Sequence, residues 1–401
     1  MSPTATIVVE NEGVPQDRRV WSEARSLRDA GWAVTVICPR QSSDEVPTEV
    51  LDDIEIRRFR HFEARRSLLY PLEFGYALLR ISAELWRVWR RRPIDVLQLC
   101  NPPDVLFPMA RWARRAGAAI VFDHHDLAPE LWLSRGGRLD GVVHRALLAI
   151  ERCTFATADV VLSTNESYRA IAMGRGGVPA DDCFVVRNGP ALDDFEPVDR
   201  TVEPDPGRNV VGYVGTMAPQ DGVDQLLSAM AYIVVERRRR DVGAVIVGDG
   251  PELPRLRRMA DALDIGAHTE FTGRVPHSRV PERLATATVC VCPDPSSPLN
   301  DRSTMIKVLE YLAMAKPVVC YDLPETMVTA GDCAVFVPSD DHRQLGNSIL
   351  ELIDDPTRAS QLGRSGRQRV EGQFTWAHSE PALLQAYERA LDRARRRRST
   401  M

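Results

Sequence analysis

The feature that most constrains this chain is an alternation of short β-branched runs with helix-length amphipathic stretches, and it runs through twice. In the first half, strand-like runs fall at residues 6–9, 34–38, 96–99, 119–122, 160–162 and 184–186, with helical stretches at 20–30 and 105–116 among them. Runs without polar alternation are buried on both faces, and intervening helices supply the cover, so such a series builds a parallel sheet of βαβ units. Near residue 195 the texture changes. Glu196-Pro197-Val198-Asp199 and Glu203-Pro204-Asp205-Pro206-Gly207 are charged, Pro-rich and non-periodic, the composition of a linker. The alternation then restarts, with strands at 210–214, 244–247, 270–272, 289–292, 317–321 and 334–337. Helices are expected from Gly222, from Glu252, near 280–287, over 303–315 and over 341–353.

The expected fold is therefore α/β: two Rossmann-like, doubly wound parallel-sheet domains facing across a cleft. The N-terminal domain takes 1–195, the linker 196–209, the second domain 210–378, and a C-terminal helix with a basic tail 379–401. At 401 residues the chain is too long for one ordinary core, which agrees with two. Ligands of such sheets bind outside the carboxyl ends of the strands. The closing Arg395–Arg398 run complements a helix macrodipole and reads as a solvated tail.

Composition removes several function classes. With 44% hydrophobic and 27% charged residues the chain is globular, and a net charge of −5 leaves no basic excess for nucleic acid. The eight cysteines, at 38, 100, 153, 183, 290, 292, 320 and 333, form no CxxC and no Cys/His cluster. That favours a reducing compartment over a disulfide framework or a zinc site. No signal peptide is read, and no run approaches eighteen apolar residues, so a cytoplasmic protein is expected. No nucleophile elbow, P-loop or HExxH is present, which withdraws support from hydrolase, NTPase and metalloprotease readings.

Five segments carry chemistry. In the first, from Ser303 through Ala313, Asp301, Ser303 or Thr304 is expected to cap a helix whose first amides form an anion site. Ser303, Lys307, Glu310 and Met314 then fall on one stripe, with Ile306, Leu309 and Ala313 on the core side. The stripe suits a diphosphate at the helix mouth and ribose hydroxyls on Glu310; the alternative is an exposed Lys307–Glu310 pair giving roughly 0.2–0.5 kcal/mol. Basic residues are almost all arginine, the only lysines being Lys307 and Lys316, so a retained lysine is informative. Second, the Gly248-Asp249-Gly250-Pro251 turn follows a strand and opens a helix, without being GxGxxG. Third, Gly273-Arg274-Val275-Pro276 is a strand-end loop able to read a base. Fourth, Asp123-His124-His125-Asp126 with Glu130 reads as a polar floor for sugar or acceptor hydroxyls; a metal set or a satisfied structural cluster are its alternatives. Fifth, the loop of Asn11 to Arg19 has one glycine, Gly13, and Asp17 suits a helix cap. Finally, Arg65, Arg66, Arg87 and Arg90–Arg92 flank an apolar helix from Leu68 to Trp89. It either lies on an anionic membrane or packs on its own sheet.

Together the segments resemble the family 4 glycosyltransferases of the GT-B fold. The resemblance rests on Asn101-Pro102-Pro103-Asp104, Asp123 to Glu130, Asn188-Gly189-Pro190, Gly212-Tyr213-Val214-Gly215, Gly248-Asp249-Gly250-Pro251, Phe271-Thr272-Gly273-Arg274, Lys307 to Ala313 and Lys316-Pro317-Val318-Val319. Bacterial surface-polysaccharide transferases are the nearest group within it. The resemblance implies a nucleotide-diphosphate-sugar donor, retention at the anomeric carbon, and a leaving group stabilised without a metal; no cofactor is expected. The acceptor would be a sugar, a lipid-linked molecule or a small molecule, with peripheral contact at the inner face of the cell membrane kept open. The donor contacts it implies are Gly13, Gly215, Thr216, Gly248, Gly250, Gly273, Arg274, Asp301, Ser303, Thr304, Met305 and Glu310, with His125 and Asp126 near the transferred sugar. The C-terminal helix would cross back onto the first domain. Three positions depart from the family pattern: Arg302 stands where the first Glu of the Glu-x7-Glu motif falls, and Thr216 and Asp221 stand for the usual Arg and Lys. Arg302 and Lys307 are expected to supply the missing cations, since one oxyanion donor is worth roughly 2.7–4 kcal/mol of barrier. Asp294, Asn300 and Asp301 are expected to make the sugar contacts of the missing Glu. A GT-B-type nucleotide-sugar epimerase and a non-catalytic nucleotide-sugar-binding protein are the competing readings.

Overall fold

The computed structural model describes residues 2–42, 44–61, 70–195 and 207–399; most of the expected linker, with Arg65, Arg66 and Leu68, lies outside them. The chain divides into two compact units, Met1–Leu133 with Gly137–Arg187 and Ser379–Met401, and Ser134–Gly136 with Asn188–His378.

The first unit runs β1 (Thr4–Val8), α1 (Arg18–Asp29), β2 (Ala33–Pro39), β3 (Thr48–Leu51), β4 (Ile54–Phe59), α2 (Tyr70–Arg91), β5 (Val96–Cys100) and α3 (Phe107–Arg115). It continues with β6 (Ala119–His124), α4 (Ala128–Ser134), α5 (Val142–Phe155), β7 (Val160–Ser163), α6 (Glu166–Gly174) and β8 (Cys183–Val185). Its sheet has the order β3-β4-β2-β1-β5-β6-β7-β8, parallel except for the β3–β4 hairpin. β1, β5, β6 and β7 are buried along their whole length, as strands covered on both faces must be. The β3–β4 hairpin was not expected. Its turn places Asp52 and Asp53 at positive φ, the geometry of a two-residue hairpin loop.

α1 starts where Asp17 accepts from Val20 N at 3.0 Å. α2 buries Ala77, Ile81, Leu85 and Val88 against Val8, Ile37 and Phe59, so this helix packs on its own sheet. Leu72, Leu79, Trp86 and Trp89 stay exposed on its outer side.

The second unit runs β9 (Asn209–Val214), α7 (Val223–Ala231), β10 (Val242–Val247), α8 (Leu253–Ala262), β11 (Thr269–Gly273), α9 (Val280–Ala285), β12 (Val289–Cys292) and α10 (Ile306–Ala313). It ends with β13 (Val318–Tyr321), α11 (Pro324–Ala330), β14 (Val335–Val337), α12 (His342–Asp354) and α13 (Pro356–Gln373), and only the first three residues of α14 (Trp376–Ser399) belong to it. The sheet order β11-β10-β9-β12-β13-β14 is parallel throughout. Strand order reverses between β1 and β5 in one sheet and between β9 and β12 in the other. Those are the positions where doubly wound sheets open a ligand crevice.

From residue 379 onward α14 belongs to the first unit. Tyr387 is fully buried there, edge-on to Trp32 at 5.2 Å, and its hydroxyl donates to Gln98 Oε1 at 2.6 Å. Arg389 and Arg393 each reach Asp182 at 2.8 Å, while Arg397 pairs with Asp159 and donates to Ala118 O. In the Arg395–Arg398 run, Arg395, Arg396 and Arg398 are exposed, as a solvated tail requires, and the expectation is corrected at Arg397, which the buried Asp159 holds. Among the described residues no helix is long and apolar enough to cross a membrane, and all eight cysteines are free thiols.

Candidate functional site

At the carboxyl end of the second sheet three strand-end loops are locked backbone to backbone. Gly215 N donates to Val247 O at 3.0 Å, Met217 N to Asp249 O at 2.9 Å, and Gly248 N to Gly273 O at 3.2 Å. Gly248 has φ +137, and a Cβ there would overlap Gly215 O. Only glycine combines that conformation with that approach. Gly250 meets Met217 backbone in the same way. Thr216 and Arg274 are exposed at the rim of these loops.

After β12, Asp294 is buried, and Lys307 Nζ donates to both its oxygens at 2.9 Å. Asp221 Oδ1 lies 3.8 Å from the same ammonium, and the ring of Tyr213 sits beneath it at 4.8 Å. Burial opposes charge on Lys307, yet Asp294, with Tyr213, Cys292 and Asp221 behind it, holds the amine well above the ordinary lysine range. Burial, aided by Asp294 and opposed by Lys307, pushes Asp221 up to about 6. The expected exposed Lys307–Glu310 pair is absent: Glu310 is 9% exposed, with His277 Nε2 at 3.8 Å and Phe195 edge-on to that imidazole at 5.4 Å.

The helix itself begins later than expected. Asn300–Arg302 form a 3-10 turn, Ser303 is extended, and α10 starts at Ile306 with Met305 as an N-cap lacking a side-chain bond. The expected cap by Asp301, Ser303 or Thr304 is therefore corrected. The cause is local competition for those side chains. Ser303 Oγ donates to Leu299 O at 2.9 Å, Asp301 accepts from Ser296 Oγ at 3.1 Å, and Asn300 Nδ2 bridges Gln220 O and Pro295 O at 2.8 Å each. Arg302 donates to Pro298 O at 2.7 Å. Ile306, expected in the core, is 46% exposed, because moving the helix start turns it outward. Thr304 lies half-buried ahead of the cap. In the first turn of α10, Val308 N donates to the carbonyl of the N-cap residue Met305 at 3.0 Å, and helix geometry leaves the amides of Ile306 and Lys307 without an intrahelical acceptor.

In the first unit, Asp123, the next-to-last residue of β6, is fully buried. Arg19 grips it through two bonds of 2.8 and 2.6 Å, and His125 Nδ1 lies 2.9 Å from Oδ2. Burial opposes protonation of His125, but Asp123 outweighs it and raises the imidazole. Asn101 Oδ1 accepts from His125 N and Asp126 N at 2.8 and 3.0 Å and so fixes the turn on which both stand. Asp126 accepts from Leu127 N at 2.7 Å. His124 belongs elsewhere: it is fully buried among Phe122, Phe155 and Tyr168, so the two histidines do not form one polar floor. Gly13 lies against Pro39 O and Gln41, and its carbonyl accepts from Asp17 N at 2.8 Å, which sets the entry to α1. Arg19, Tyr213 and His277 were not read as site residues. Their partners lie many residues away in sequence, and only the fold brings them together.

Two family models match the chain: a glycosyl transferase 4-like domain over residues 16–189 and glycosyl transferases group 1 over 208–355. The chain belongs to the family 4 glycosyltransferases. Alpha-maltose-1-phosphate synthase of Mycolicibacterium smegmatis is 28% identical over 272 residues, 60% of this chain; the match spans 65% of that enzyme, under two thirds of its length. Among solved structures, sucrose-phosphate synthase from Thermosynechococcus elongatus superposes with a TM-score of 0.77 at 19% identity, covering 97% of this chain and 98% of that one. HepE of Anabaena, in complex with UDP-glucose, gives 0.71 at 15% identity, with 95% and 98% covered. These likenesses establish the GT-B fold of two Rossmann-like domains for this glycosyltransferase.

Proposed function

We propose that this glycosyltransferase moves a sugar from a nucleotide-diphosphate-sugar to an acceptor hydroxyl in polysaccharide, glycolipid or glycoconjugate biosynthesis, with retention and without a metal in the transfer step. The observation that carries the reading is the crowding of backbone-locked glycine loops, the N-terminus of α10 and the Lys307–Asp294 pair at the β9/β12 reversal. Glycine loops let a diphosphate approach backbone amides, and a helix N-terminus adds partial positive charge. Gly215, Thr216, Gly248, Gly250, Gly273, Arg274, Asp301, Ser303, Thr304 and Met305 are the donor contacts of this reading. Glu310, with His277 beside it, takes the ribose. Gly13, His125 and Asp126 are assigned to the sugar from the first unit.

Chemically, the bond from the anomeric carbon to the diphosphate oxygen breaks, and its electron pair leaves with the phosphate. The acceptor oxygen bonds to that carbon on the same face and passes its proton to the departing phosphate. The protein supplies position and charge. Arg302 and the α10 amides face the leaving group in this scheme. Lys307 contributes less than a free lysine would, because Asp294 and Asp221 already share its charge; its larger part is to fix Asp294 toward donor hydroxyls. The exposed Leu72, Leu79 and Trp86 of α2, with Arg87, Arg90 and Arg91 on that helix, support peripheral contact with the inner face of a membrane in an otherwise cytoplasmic protein.

The test is a thermal-shift panel of UDP-, GDP-, dTDP- and ADP-sugars, since a true donor stabilises by RT ln(1 + [L]/Kd). Transfer with the stabilising donor should yield a product of unchanged anomeric configuration by NMR. Lys307→Met should weaken donor binding and cut turnover. Wild-type binding and turnover by that variant, or an epimerised donor without transfer, refutes the assignment.

A further inference from the structure

A line of polar side chains crosses the interior of the first unit from α14 to the turn after β6. The Tyr387 hydroxyl donates to Gln98 Oε1, and Gln98 Nε2 donates to Glu23 Oε2, each at 2.6 Å. Glu23 Oε1 lies 3.3 Å from Arg19 Nε. Arg19 directs Nε and Nη2 at Asp123, at 2.8 and 2.6 Å, and Nη1 at Val186 O, at 2.8 Å. With its fork so placed, the guanidinium fixes the plane of the Asp123 carboxylate against α1 and the end of β8. Tyr387, Gln98, Glu23 and Asp123 are all fully buried.

The line ends at His125, whose side chain is 14% exposed. Its Nδ1 lies 2.9 Å from Asp123 Oδ2, the oxygen that also accepts from Arg19 Nε. Nε2 has no hydrogen-bond partner among the described residues, which leaves it as the open nitrogen. Burial opposes charge on Asp123, but Arg19 and then His125 outweigh it and hold the carboxyl well below the ordinary range. An ionised carboxylate only accepts, so Nδ1 carries a proton whether the ring is charged or neutral, and the proton that comes and goes is the one on Nε2. A pair serving only to join α1 to β6 would be complete without the imidazole. Here one carboxylate oxygen is shared with a ring that reaches the surface.

We propose that Asp123 is a positioning residue for sugar transfer: held by Arg19, it keeps a proton on Nδ1 of His125 and presents Nε2 to a hydroxyl of the transferred sugar. This role rests on the assignment of His125 to the sugar. His125 touches the substrate, Asp123 sets its tautomer and direction, and Arg19 prevents the carboxylate from turning away. Glu23, Gln98 and Tyr387 steady Arg19 from behind.

The experiment uses the full chain with isotope-labelled histidine. Nitrogen NMR reads the ring tautomer without donor, the His125 signals being those missing from His125→Gln. Once its ring is neutral, the wild type should keep the proton on Nδ1. Asp123→Asn should move it to Nε2, because an uncharged amide can turn its own N–H toward the ring. The same variant should lose about 10-fold or more in kcat with donor KM unchanged, measured as release of sugar from whichever of UDP-glucose, GDP-mannose, dTDP-glucose and ADP-glucose the wild type consumes. An Asp123 that is merely structural would lower Tm and leave the tautomer where it was, which overturns the proposal. A wild-type neutral ring protonated on Nε2 overturns it without any variant. If Asp123→Asn fails to fold, Arg19→Lys takes its place, keeping the charge but not the fork; a wild-type tautomer and kcat there count against the lock. Consumption of none of the four donors by the wild type removes the assigned function and this role with it, whereas a normal kcat in Asp123→Asn removes the role alone.

Discussion

Asp221 stands where the family pattern has a lysine, 3.8 Å from the ammonium of Lys307. A carboxylate held up to about 6 is mostly neutral at pH 5 and ionised at pH 8. Its charge opposes a diphosphate, so donor affinity should fall as pH rises through about 6. Asp221→Asn should flatten that profile and tighten donor binding at pH 8 by on the order of 1 kcal/mol, about fivefold, with little change at pH 5. Calorimetric Kd values at the two pH values check this; an unchanged slope would show that Asp221 does not sense the donor. Lys307 was legible because lysine is scarce in this chain. Its partner was less so: Asp294 lies at the end of a different element, and its pairing depends on the β12–α10 connection. Arg19 and Asp123, separated by 104 residues, are further still from what spacing can reveal.

At the scale of elements, strand and helix positions followed from periodicity wherever both faces of a strand are covered. β3 and β4 escaped because Glu49, Glu55, Arg57 and Arg58 break up the apolar run. The fold offsets this by pairing Arg57 with Glu84 and Arg58 with Glu49, at 2.8 and 2.6 Å. The start of α10 shifted by three residues because its nearby polar side chains bond to the preceding loop instead of capping the helix. α14 is the element on which a single atom tests a packing claim. Tyr387→Phe removes the hydroxyl that, among the described residues, donates to Gln98 Oε1, where both side chains are fully buried. Urea denaturation should show a loss of about 1–3 kcal/mol, the cost of leaving a buried acceptor unsatisfied. A loss under 0.5 kcal/mol would mean that water reaches Gln98.

For the molecule as a whole, two sheets and the break between them were readable from the doubled alternation, whereas the balance of buried charge was not. Asp104 illustrates the latter. Burial, with Glu151 adding to it and Asn101 Nδ2 opposing it, pushes its carboxyl up to about 7 from an ordinary 3.8. The folded state therefore binds this proton more tightly than the unfolded state. The resulting stability is fully present below about pH 4 and is lost as pH rises through about 7, with an upper limit of about 4 kcal/mol. In Asp104→Asn, whose amide oxygen can still accept from Asn101, that dependence should disappear: the variant should melt higher relative to wild type at pH 8 than at pH 4. Parallel melting curves at both pH values would place the titration elsewhere.

The arginine run that closes α14 has a practical consequence. Four consecutive arginines are an obvious substrate for trypsin, yet Arg397 is anchored to Asp159 and Ala118, and Ala394 beside the run is fully enclosed. Cleavage there requires this stretch to detach, so the rate of C-terminal clipping becomes a clock for local opening of the first unit. Asp159→Asn should make the clock run faster while leaving cleavage in the second unit at its former pace.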